Sequence, residues 1–532
     1  MGYSLKTQIN LSRLILTLLL LAPVSAWAQK ISELTLVPYP NSVTLGNTRI
    51  DLKQGLDVGD SQYKNYIVKR LSLLKVPSNK GVKVVFEKSN NKTLGHEGYR
   101  LVAKENQIVV LANTKQGQFY GIQTLLQLVR LGDVNHFDIT DKPHFKWRAY
   151  MLDEARYFQG MDTVKLLLDE MAKLKMNVFH WHLTDDAGWR IEIKKYPLLT
   201  QIGAKRKDTQ TNDNGKKWDS KTFAGQPHAG FYTQEQIREI VAYADKLNIT
   251  IVPEISMPGH ASAAVASYPW LGTLPEPIEV PVKFGVVKTV YNPASEKTIT
   301  FVQDVLREVA ALFPSEVIHI GGDEVKFDQW KSSKQISDYM KLHQLETYSD
   351  VQVKFTNDVS AFIEKSLGKR MMGWNEIMGL HVHDWAKDRK NATTALSQNA
   401  IIHFWRGTPE HFKQAIEAGH QIVYSEHTNT YLDYTYQKID LEKAYAFNPV
   451  PNELTKVQAA QIIGLGTQMW GEWTPDAATV YQQTFPRIAA YAETGWTAKQ
   501  NKSYSRFNKG AEILINDWKS SGINVGSKAT VN

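Results

Sequence analysis

The chain has 532 residues, of which 42% are hydrophobic and 22% charged, so it is a globular protein with more than one domain. Its net charge of +8 is spread along the sequence without a long run of like charges, which argues against a tail that binds nucleic acid. The sequence contains no cysteine, which excludes disulfides, thiolate metal sites and cysteine nucleophiles.

The first 28 residues are predicted to be a signal peptide. Lys6 and Arg13 supply positive charge, residues 14–26 are apolar, and Ala-Trp-Ala at 26–28 is a small-x-small cleavage site. No cysteine follows this site, so a lipid anchor is not expected, and no later apolar run is long enough to span a bilayer. We therefore expect an exported protein, periplasmic or secreted, without a membrane anchor.

Residues 29–142 are predicted to form a small α+β domain. The segments 81–87 and 107–113 are strand-like because they are rich in β-branched residues. The segment 117–131 has apolar residues at helical spacing. The proline-containing segment 141–147 marks the expected boundary with the next domain.

Residues 143–500 are predicted to form a (β/α)8 barrel of the TIM type. Strand-like runs recur along this part of the chain with helical patterns between most of them, which indicates a parallel sheet. These runs lie at residues 149–155, 177–186, 249–256, 317–324, 370–376, 400–407, 421–427 and 462–472. An open doubly wound sheet is the alternative, but polar and aromatic residues end almost every run, which favours the barrel. The tail at 501–532 is predicted to be helical and to complete the outer ring.

Two adjacent acids, Asp323 and Glu324, follow two glycines at the end of the fourth run. In a regular strand they would point to opposite faces, but glycine allows backbone conformations that break the pleat, so both acids can reach one site. Two carboxylates in one pocket raise the pKa of one of them, which suits a general acid for glycoside hydrolysis. A helix-capping Asp with a solvated Glu, or a pair of metal ligands, is the alternative.

Several histidines also lie in or near the predicted strands. His180 and His182 share one strand face with metal-ligand spacing, which is typical of metal-dependent hydrolase barrels. Such sites usually use further histidines at later strand ends, whereas His319 and His403 lie in mid-strand, where hydrogen-bonded core residues are the alternative. His260 follows the third run, and between carboxylates it can tune a catalytic glutamate.

Three of the runs end on tryptophans, which are Trp374, Trp405 and Trp470. Core tryptophans would favour no particular strand end, so these three indicate an aromatic wall that can pack on the C–H faces of a sugar. Arg156 follows the first run and can donate paired hydrogen bonds to vicinal hydroxyls. The alternative for Arg156 is an ion pair with Asp153 or Asp186.

The chain resembles glycoside hydrolase family 20, the β-N-acetylhexosaminidases, over most of its mature length. The motifs that carry the resemblance are LDEARYF (152–158), NVFHWHLTDDAGWR (177–190), PEISMPGHA (253–261), HIGGDEV (319–325), GWNE (373–376) and MWGEW (469–473). The resemblance implies a barrel preceded by a small α+β domain, and no cofactor. It also implies substrate-assisted retention, in which the 2-acetamido group of the substrate attacks the anomeric carbon and forms an oxazolinium ion.

The resemblance implies roles for individual catalytic residues. Glu324 matches the general acid/base, Asp323 matches the acid that orients the acetamido N–H, and Tyr431 matches the hydroxyl that holds the acetamido oxygen. His260 with Asp185 matches the pair that supports Glu324.

The implied sugar-binding residues are Arg156, Trp374, Trp405, Asp433, Trp470 and Glu472. Asp186 is an alternative to Asp185 as the partner of His260. The loops 201–230 and 265–290 have no readable pattern, and such loops commonly carry specificity.

We therefore expect an exo-acting β-N-acetylhexosaminidase that removes terminal β-linked GlcNAc or GalNAc from a glycan or glycoconjugate. The alternatives are a relative that releases a disaccharide, a metal-dependent hydrolase barrel, and a sugar-binding barrel without activity. The last of these predicts the loss of one of the paired acids, and both are present.

Overall fold

The computed structural model describes residues 34–213, 217–383 and 390–526. The predicted signal peptide lies outside these residues. Across the three described segments, we find no helix that combines the length and the apolar character needed to cross a bilayer.

A six-stranded sheet with two helices forms the first part of the chain. Its elements are β1 (Ser42–Asp51), β2 (Leu56–Asp57), α1 (Lys64–Leu73), β3 (Val82–Lys88), β4 (Tyr99–Lys104), β5 (Gln107–Ala112), α2 (Lys115–Leu131) and β6 (Asp133–Asp141). The strand order is β1-β6-β4-β5-β3-β2, and β3 runs parallel to both of its neighbours. Helix α2 packs on the sheet because its apolar face, which includes Phe119, Ile122 and Leu125, is fully buried. The strands predicted at 81–87 and 107–113 and the helix predicted at 117–131 are confirmed.

The second part of the chain alternates strands and helices, with long loops between some of them. In chain order its elements are β7 (Trp147–Asp153), α3 (Met161–Lys173), β8 (Val178–Asp185), β9 (Gly188–Trp189), α4 (Leu198–Gln201), β10 (Lys205–Arg206), β11 (His228–Ala229), α5 (Gln234–Lys246), β12 (Thr250–Ile255), α6 (Ser262–Ser267), α7 (Glu296–Leu312), β13 (Val317–His319), α8 (Asp328–Ser332), α9 (Lys334–Leu342), α10 (Tyr348–Leu367), β14 (Arg370–Trp374), β15 (Ile401–Phe404), α11 (Pro409–Glu417), β16 (Gln421–Tyr424), α12 (His427–Thr430), α13 (Leu441–Ala446), α14 (Lys456–Ala459), β17 (Ile462–Met469), α15 (Ala477–Thr484), α16 (Arg487–Trp496) and α17 (Tyr504–Ser520).

Eight of these strands close into a parallel barrel, in the order β7-β8-β12-β13-β14-β15-β16-β17, with β17 paired to β7. The predicted (β/α)8 barrel is confirmed. Seven of the strands contribute one buried apolar residue each to a single core cluster, namely Ala149, Val178, Val252, Val317, Met372, Ile401 and Val423. Most of these residues lie early in their strands, so this layer fills the N-terminal end and leaves the C-terminal end for a site.

Several barrel strands end earlier than their sequence runs predict. Strand β13 stops at His319 rather than at residue 324, because Gly321 and Gly322 adopt φ values of 68° and 87°. These left-handed conformations cannot continue a strand and are favourable mainly for glycine. The polar residues that the sequence places at strand ends therefore belong to the loops at the barrel mouth.

The C-terminal helix α17 contacts both parts of the chain. Trp518 Nε1 donates a hydrogen bond to Glu170 on α3 at 2.9 Å, and Arg130 on α2 donates to the carbonyl of Ile513 at 3.2 Å. Near the start of α17, Arg506 forms a buried ion pair with Glu493 on α16 at 2.6 Å. The predicted helix in the tail is present at Tyr504–Ser520, and it contacts both the barrel helices and α2 of the first part; residues 527–532 lie outside the described residues.

A second junction between the two parts is centred on the buried carboxylate of Asp141, at the end of β6. Its Oδ2 accepts hydrogen bonds from Tyr99 at 2.6 Å, Trp496 at 2.8 Å and Lys175 at 3.1 Å. Lys175 lies between α3 and β8 and is fully buried, and within the described segments Asp141 is the carboxylate that pairs with its ammonium group. Removing one partner of a buried ion pair leaves an uncompensated charge.

We expect Asp141→Ala to lower the free energy of unfolding by about 3–5 kcal/mol, because Lys175 would remain buried without its carboxylate. Urea unfolding followed by tryptophan fluorescence measures this change. Asp138→Ala on the same strand is the matched control, since its partner Arg100 is half exposed and a pair of this kind contributes about 0–1 kcal/mol. Equal losses for the two variants would contradict the role of Asp141.

Candidate active site

A pocket of about 300 Å³ opens at the C-terminal end of the barrel strands. It is lined by Arg156, Trp218, His260, Gly285, Val286, Asp323, Glu324, Trp405, Arg406, Tyr431, Asp433, Tyr434, Trp470 and Glu472. These include every site residue predicted from the sequence except Asp185 and Trp374, which lie behind the lining. The loops after most barrel strands thus meet at one cavity, as is usual for active sites in this fold.

Asp323 and Glu324 lie on the same side of the pocket because strand β13 ends before them, at His319. A Cβ atom at Gly322 would lie 2.4 Å from the side chain of Ile377, so glycine is required there. Glu324 itself adopts a left-handed φ of 51°. As a result, both carboxylates approach His260 Nε2, at 3.5 Å for Asp323 and 3.7 Å for Glu324. The predicted convergence of the two acids is confirmed.

The two acids differ in their surroundings. Burial raises the pKa of Glu324, and the charge of Asp323 raises it further, while His260 opposes the shift. A carboxyl group with a raised pKa retains its proton at higher pH and can serve as a general acid. In the described part of the chain, Asp323 Oδ1 is buried and accepts no hydrogen bond, so it is available to a donor on a ligand.

His260 lies between these acids and a second acidic pair. Its Nδ1 hydrogen-bonds Asp186 Oδ2 at 3.1 Å and lies 3.3 Å from Asp185 Oδ1. Asp186 is oriented by two hydrogen bonds from Ser262, one from the backbone and one from the hydroxyl. The sequence predicted Asp185 as the partner of His260, with Asp186 as the alternative, and His260 Nδ1 contacts both carboxylates, with the contact to Asp186 the shorter of the two.

The charge of His260 follows from this arrangement. Burial by itself would lower the pKa of His260, but the carboxylates of Asp185 and Asp323 outweigh it and raise that pKa well above the usual value. His260 is therefore an imidazolium at neutral pH. It holds both paired acids on one side of the pocket.

Arg156 forms ion pairs with Asp153 at 3.0 Å and with Asp185 at 2.9 Å, and it lies 3.8 Å from Glu472. It also lines the pocket. The alternative predicted from the sequence, an ion pair, therefore holds for Asp153 but involves Asp185 rather than Asp186. These contacts place the guanidinium against the pocket, where it can also bind a ligand hydroxyl.

The aromatic wall consists of Trp405, Tyr431 and Trp470. Trp405 and Tyr431 are stacked with an interplanar angle of 9°, and the Trp405 indole donates to Glu376 at 2.9 Å. Trp374 was predicted to belong to this wall, but it is only 1% exposed and donates to Glu254 at 2.9 Å. It lies beneath the wall because β14 continues to Trp374 and keeps the ring inside the barrel.

Two further acids, Asp433 and Glu472, lie in the pocket wall. Burial raises the pKa of Asp433 to about 7, and the charge of Glu472 adds to this shift. Burial also raises the pKa of Glu472, although Arg156 opposes it. Among the described residues no group donates to Asp433 Oδ1, so it can accept a hydrogen bond from a ligand hydroxyl.

The loops that the sequence left unassigned form the rim of the pocket. Trp218 comes from the loop 201–230, and Gly285 and Val286 come from the loop 265–290. The buried side chain of Gln210 joins the two loops, since it donates to the carbonyl of Ser220 at 2.9 Å and accepts from the backbone N–H of Phe284 at 3.1 Å. Sequence reasoning missed Trp218 because no periodic pattern surrounds it.

The histidines predicted as possible metal ligands lie under the pocket, in the barrel interior. Ligand-type atoms of His180, Glu254 and His319 approach within 4.8 Å of one another. Glu254 Oε2 lies 2.7 Å from His180 Nε2 and 2.9 Å from His182 Nδ1, so its negative charge is matched by the imidazoles themselves. The sequence alternative was that such histidines are hydrogen-bonded core residues, and it agrees with the hydrogen bonds of His182 to Asp185 at 3.1 Å and of His403 to Ser425 at 2.9 Å.

Two family models match the chain. The model for the glycosyl hydrolase family 20 catalytic domain matches residues 145–499, and the model for domain 2 of the same family matches residues 33–142. Together they cover both parts of the fold described above.

Two curated proteins that are similar in sequence to this chain are named β-hexosaminidase. A β-hexosaminidase of Porphyromonas gingivalis is 34% identical over 437 residues, a match that covers 78% of this chain and 52% of that protein. The chain thus spans about half the length of this relative. A β-hexosaminidase of Vibrio furnissii is 36% identical over 434 residues, which cover 77% of this chain and 67% of the relative.

Solved structures are similar as well. The exo β-N-acetylglucosaminidase of Vibrio harveyi in complex with N-acetylglucosamine is 30% identical, with a TM-score of 0.78 over 93% of this chain and 79% of that one. The β-N-acetylhexosaminidase of Bacteroides fragilis is 27% identical, with a TM-score of 0.75 over 93% of this chain and 97% of that one. Since the catalytic-domain model alone matches more than half of the sequence, the chain belongs to glycosyl hydrolase family 20.

Proposed function

We propose that this protein is an exo-acting β-N-acetylhexosaminidase that removes terminal β-linked N-acetylhexosamine from the non-reducing end of a glycan. The observation that carries the proposal is the arrangement of Asp323, Glu324 and Tyr431 on one pocket. A glutamate whose pKa is raised by burial stands beside an aspartate with a free buried oxygen, and a tyrosine lines the same cavity. These are the groups needed to protonate a leaving oxygen and to hold an amide.

In the first step, the carbonyl oxygen of the substrate 2-acetamido group attacks the anomeric carbon. The glycosidic C–O bond breaks, and its electron pair stays on the leaving oxygen, which takes the proton of Glu324. Asp323 accepts the acetamido N–H and stabilises the positive charge of the oxazolinium ion, while Tyr431 holds the acetamido oxygen in its attack position. Holding the reacting atoms in this geometry lowers the barrier.

In the second step, the Glu324 carboxylate takes a proton from water as the water oxygen attacks the anomeric carbon. The bond between that carbon and the acetamido oxygen breaks, so the amide is restored and Glu324 regains its proton. Two displacements at one carbon retain the configuration. His260 stabilises the carboxylate form of Glu324 between the two steps, since it lies 3.7 Å away and is positively charged.

Recognition of a single terminal sugar is supported by the size and lining of the pocket. Its volume of about 300 Å³ is at the lower end of the range for small-molecule sites. Arg156, Asp433 and Glu472 can bind sugar hydroxyls, and Trp405 with Trp470 can pack on the ring.

Export is part of the proposal, because the predicted signal peptide precedes the first domain. The mature protein is then expected to begin at Gln29, in the periplasm or outside the cell. Cell fractionation with N-terminal sequencing tests this point. Recovery of the uncut chain from the cytoplasm would contradict it.

The proposed reaction is tested by comparing aryl β-glycosides with and without the 2-acetamido group. We expect hydrolysis of aryl β-GlcNAc or β-GalNAc and a kcat/KM for the plain aryl β-glucoside that is lower by at least about 10³-fold, because the glucoside lacks the internal nucleophile. A thiazoline mimic of the oxazolinium ion should inhibit strongly, as transition-state-like ligands do.

Three results would argue against this function. Similar rates on the two glycosides, or a covalent glycosyl–protein adduct, would contradict substrate assistance. Loss of activity after chelation, with metal analysis showing a bound ion, would instead favour the metal-dependent hydrolase. A panel of defined oligosaccharides distinguishes release of one sugar from release of a disaccharide.

A further inference from the structure

Beneath the pocket floor, the barrel interior holds one glutamate and four histidines. They are Glu254, His180, His182, His319 and His403, and none is more than 2% exposed. Placing a carboxylate in such an interior costs free energy unless cations or donors surround it. The reaction proposed above uses none of these five side chains directly, so their presence calls for another explanation.

Glu254 is the centre of this group. Its Oε2 lies 2.7 Å from His180 Nε2 and 2.9 Å from His182 Nδ1. Its Oε1 accepts a hydrogen bond from the Trp374 indole at 2.9 Å and lies 3.5 Å from His319 Nδ1. Strands β8, β13 and β14 therefore all present a polar group to this one carboxylate.

From Glu254, a chain of contacts leads to the catalytic acid. His182 Nε2 hydrogen-bonds Asp185 Oδ2 at 3.1 Å, and Asp185 Oδ1 lies 3.3 Å from His260 Nδ1. His260 Nε2 in turn lies 3.7 Å from Glu324 Oε2. Each member of the chain is almost completely buried up to the pocket itself.

We propose that Glu254 is a positioning residue for the acid/base of this site, and that it acts through His182 and Asp185 to fix His260 against Glu324. This inference rests on the proposed function and extends it to a residue outside the pocket. A second effect passes through Trp374, whose ring centre lies 5.7 Å from that of Trp470 and 6.4 Å from that of Trp405. Glu254 thus supports both the acid/base and the aromatic wall.

The charges along the chain support this role. Burial alone would lower the pKa of His182, but Glu254 and Asp185 raise it to about 10. Burial alone would raise the pKa of Glu254, but His182 and His319 hold it well below its usual value. Glu254 and His182 are therefore an ion pair whose positive end faces Asp185.

The other charged groups near Asp185 and Glu324 show through which residue the ion pair of Glu254 and His182 acts on the site. Apart from His182, the cations that face Asp185 are Arg156 at 2.9 Å and His260 at 3.3 Å. Glu324 is influenced by His260, Asp323, His383 and Glu376. His180 and His403 are neutral, because burial lowers the pKa of His180 to about 4 and that of His403 well below its usual value. Of the four histidines around Glu254, His182 is the one that contacts Asp185, so the interior acts on the site through it.

Glu254→Gln tests the inference, since the amide has the same shape without the charge. His182 is expected to lose its proton in this variant. The positive charge beside Asp185 is then absent, so the pKa values of the carboxyl groups in the pocket should rise. The bell-shaped profile of kcat/KM on aryl β-GlcNAc should then move to higher pH by roughly a few tenths of a unit. We expect kcat to fall roughly 10- to 100-fold, because Asp185 and His260 are less well held.

Two further variants separate charge from general disruption. Glu254→Asp keeps the charge, so its pH profile should stay near that of the unmodified enzyme while kcat remains reduced. His403→Gln removes a neutral histidine at the other side of the group, where it hydrogen-bonds Ser425 at 2.9 Å. Its pH profile should also stay in place. A folded Glu254→Gln protein with unchanged profile and kcat would overturn the inference.

A spectroscopic measurement on the unmodified enzyme covers the case in which Glu254→Gln does not fold. The side-chain 15N resonances of His182, assigned with His182→Gln, should show a doubly protonated ring at pH 8, and a neutral ring would overturn the inference. Hydrolysis of aryl β-GlcNAc by the unmodified enzyme tests the proposed function separately. Activity there with no effect in Glu254→Gln would refute only the role of Glu254.

Discussion

Glu324→Gln is expected to reduce kcat/KM on a β-GlcNAc disaccharide by about 10³- to 10⁴-fold, because the leaving oxygen would lose its proton donor. The amide has nearly the same shape as the carboxyl group, so the pocket should keep its structure. The raised pKa of Glu324 also predicts the sign of the pH dependence. In the unmodified enzyme, kcat/KM should fall as the pH rises through this pKa and Glu324 loses its proton.

The leaving group provides an internal control for this prediction. A dinitrophenyl β-GlcNAc substrate needs little protonation, so its kcat/KM should fall far less in Glu324→Gln than that of the disaccharide. Glu239→Gln is the matched control variant, since Glu239 is 59% exposed and forms a surface ion pair with Lys165. Near-normal hydrolysis of the disaccharide by Glu324→Gln would remove this residue from the mechanism.

Asp323→Asn is expected to reduce kcat on aryl β-GlcNAc on the order of 100- to 1000-fold, the loss typical of removing one preorganised charge-stabilising group. The asparagine lacks the negative charge that opposes the positive oxazolinium ion. Its amide can also turn a donor toward the acetamido N–H. The inhibition constant of a thiazoline mimic should rise by a similar factor, because the mimic resembles the same intermediate.

The control for Asp323→Asn is Asp358→Asn on helix α10, where the carboxylate is 50% exposed and pairs with Lys354. It should leave kcat, thiazoline binding and the unfolding midpoint unchanged. Asp323→Asn should share that unfolding midpoint to within a few degrees. If it kept strong thiazoline inhibition while losing turnover, Asp323 would not be the group that stabilises the intermediate.

The eight strands of the barrel could be predicted from the sequence, because β-branched runs separated by amphipathic helices admit few arrangements. The strand ends could not. The run at 317–324 contains Gly321 and Gly322, which allow a break without fixing its position, and β13 ends at His319. The space at Gly322 is limited by Ile377, which lies far away in sequence and would clash with a Cβ atom there. Local pattern does not contain such contacts.

The site residues also divide into those that local sequence predicts and those that depend on tertiary contacts. Asp323 and Glu324 were predicted from their own neighbours, since two glycines and two acids form a local signal. That His260 contacts both Asp185 and Asp186 was not, because this geometry arises only where the end of β8 and the loop after β12 meet.

By itself, the sequence determined which chemical groups this protein brings to the mouth of its barrel, since each group follows a strand whose pattern is local. The tertiary structure alone decided which of those groups face the pocket. It placed Trp374 beneath the floor, brought Trp218 to the rim and set Glu254 behind His182. The physical reason is that burial and ion pairing depend on side chains from different strands, whose distances arise only when the barrel closes.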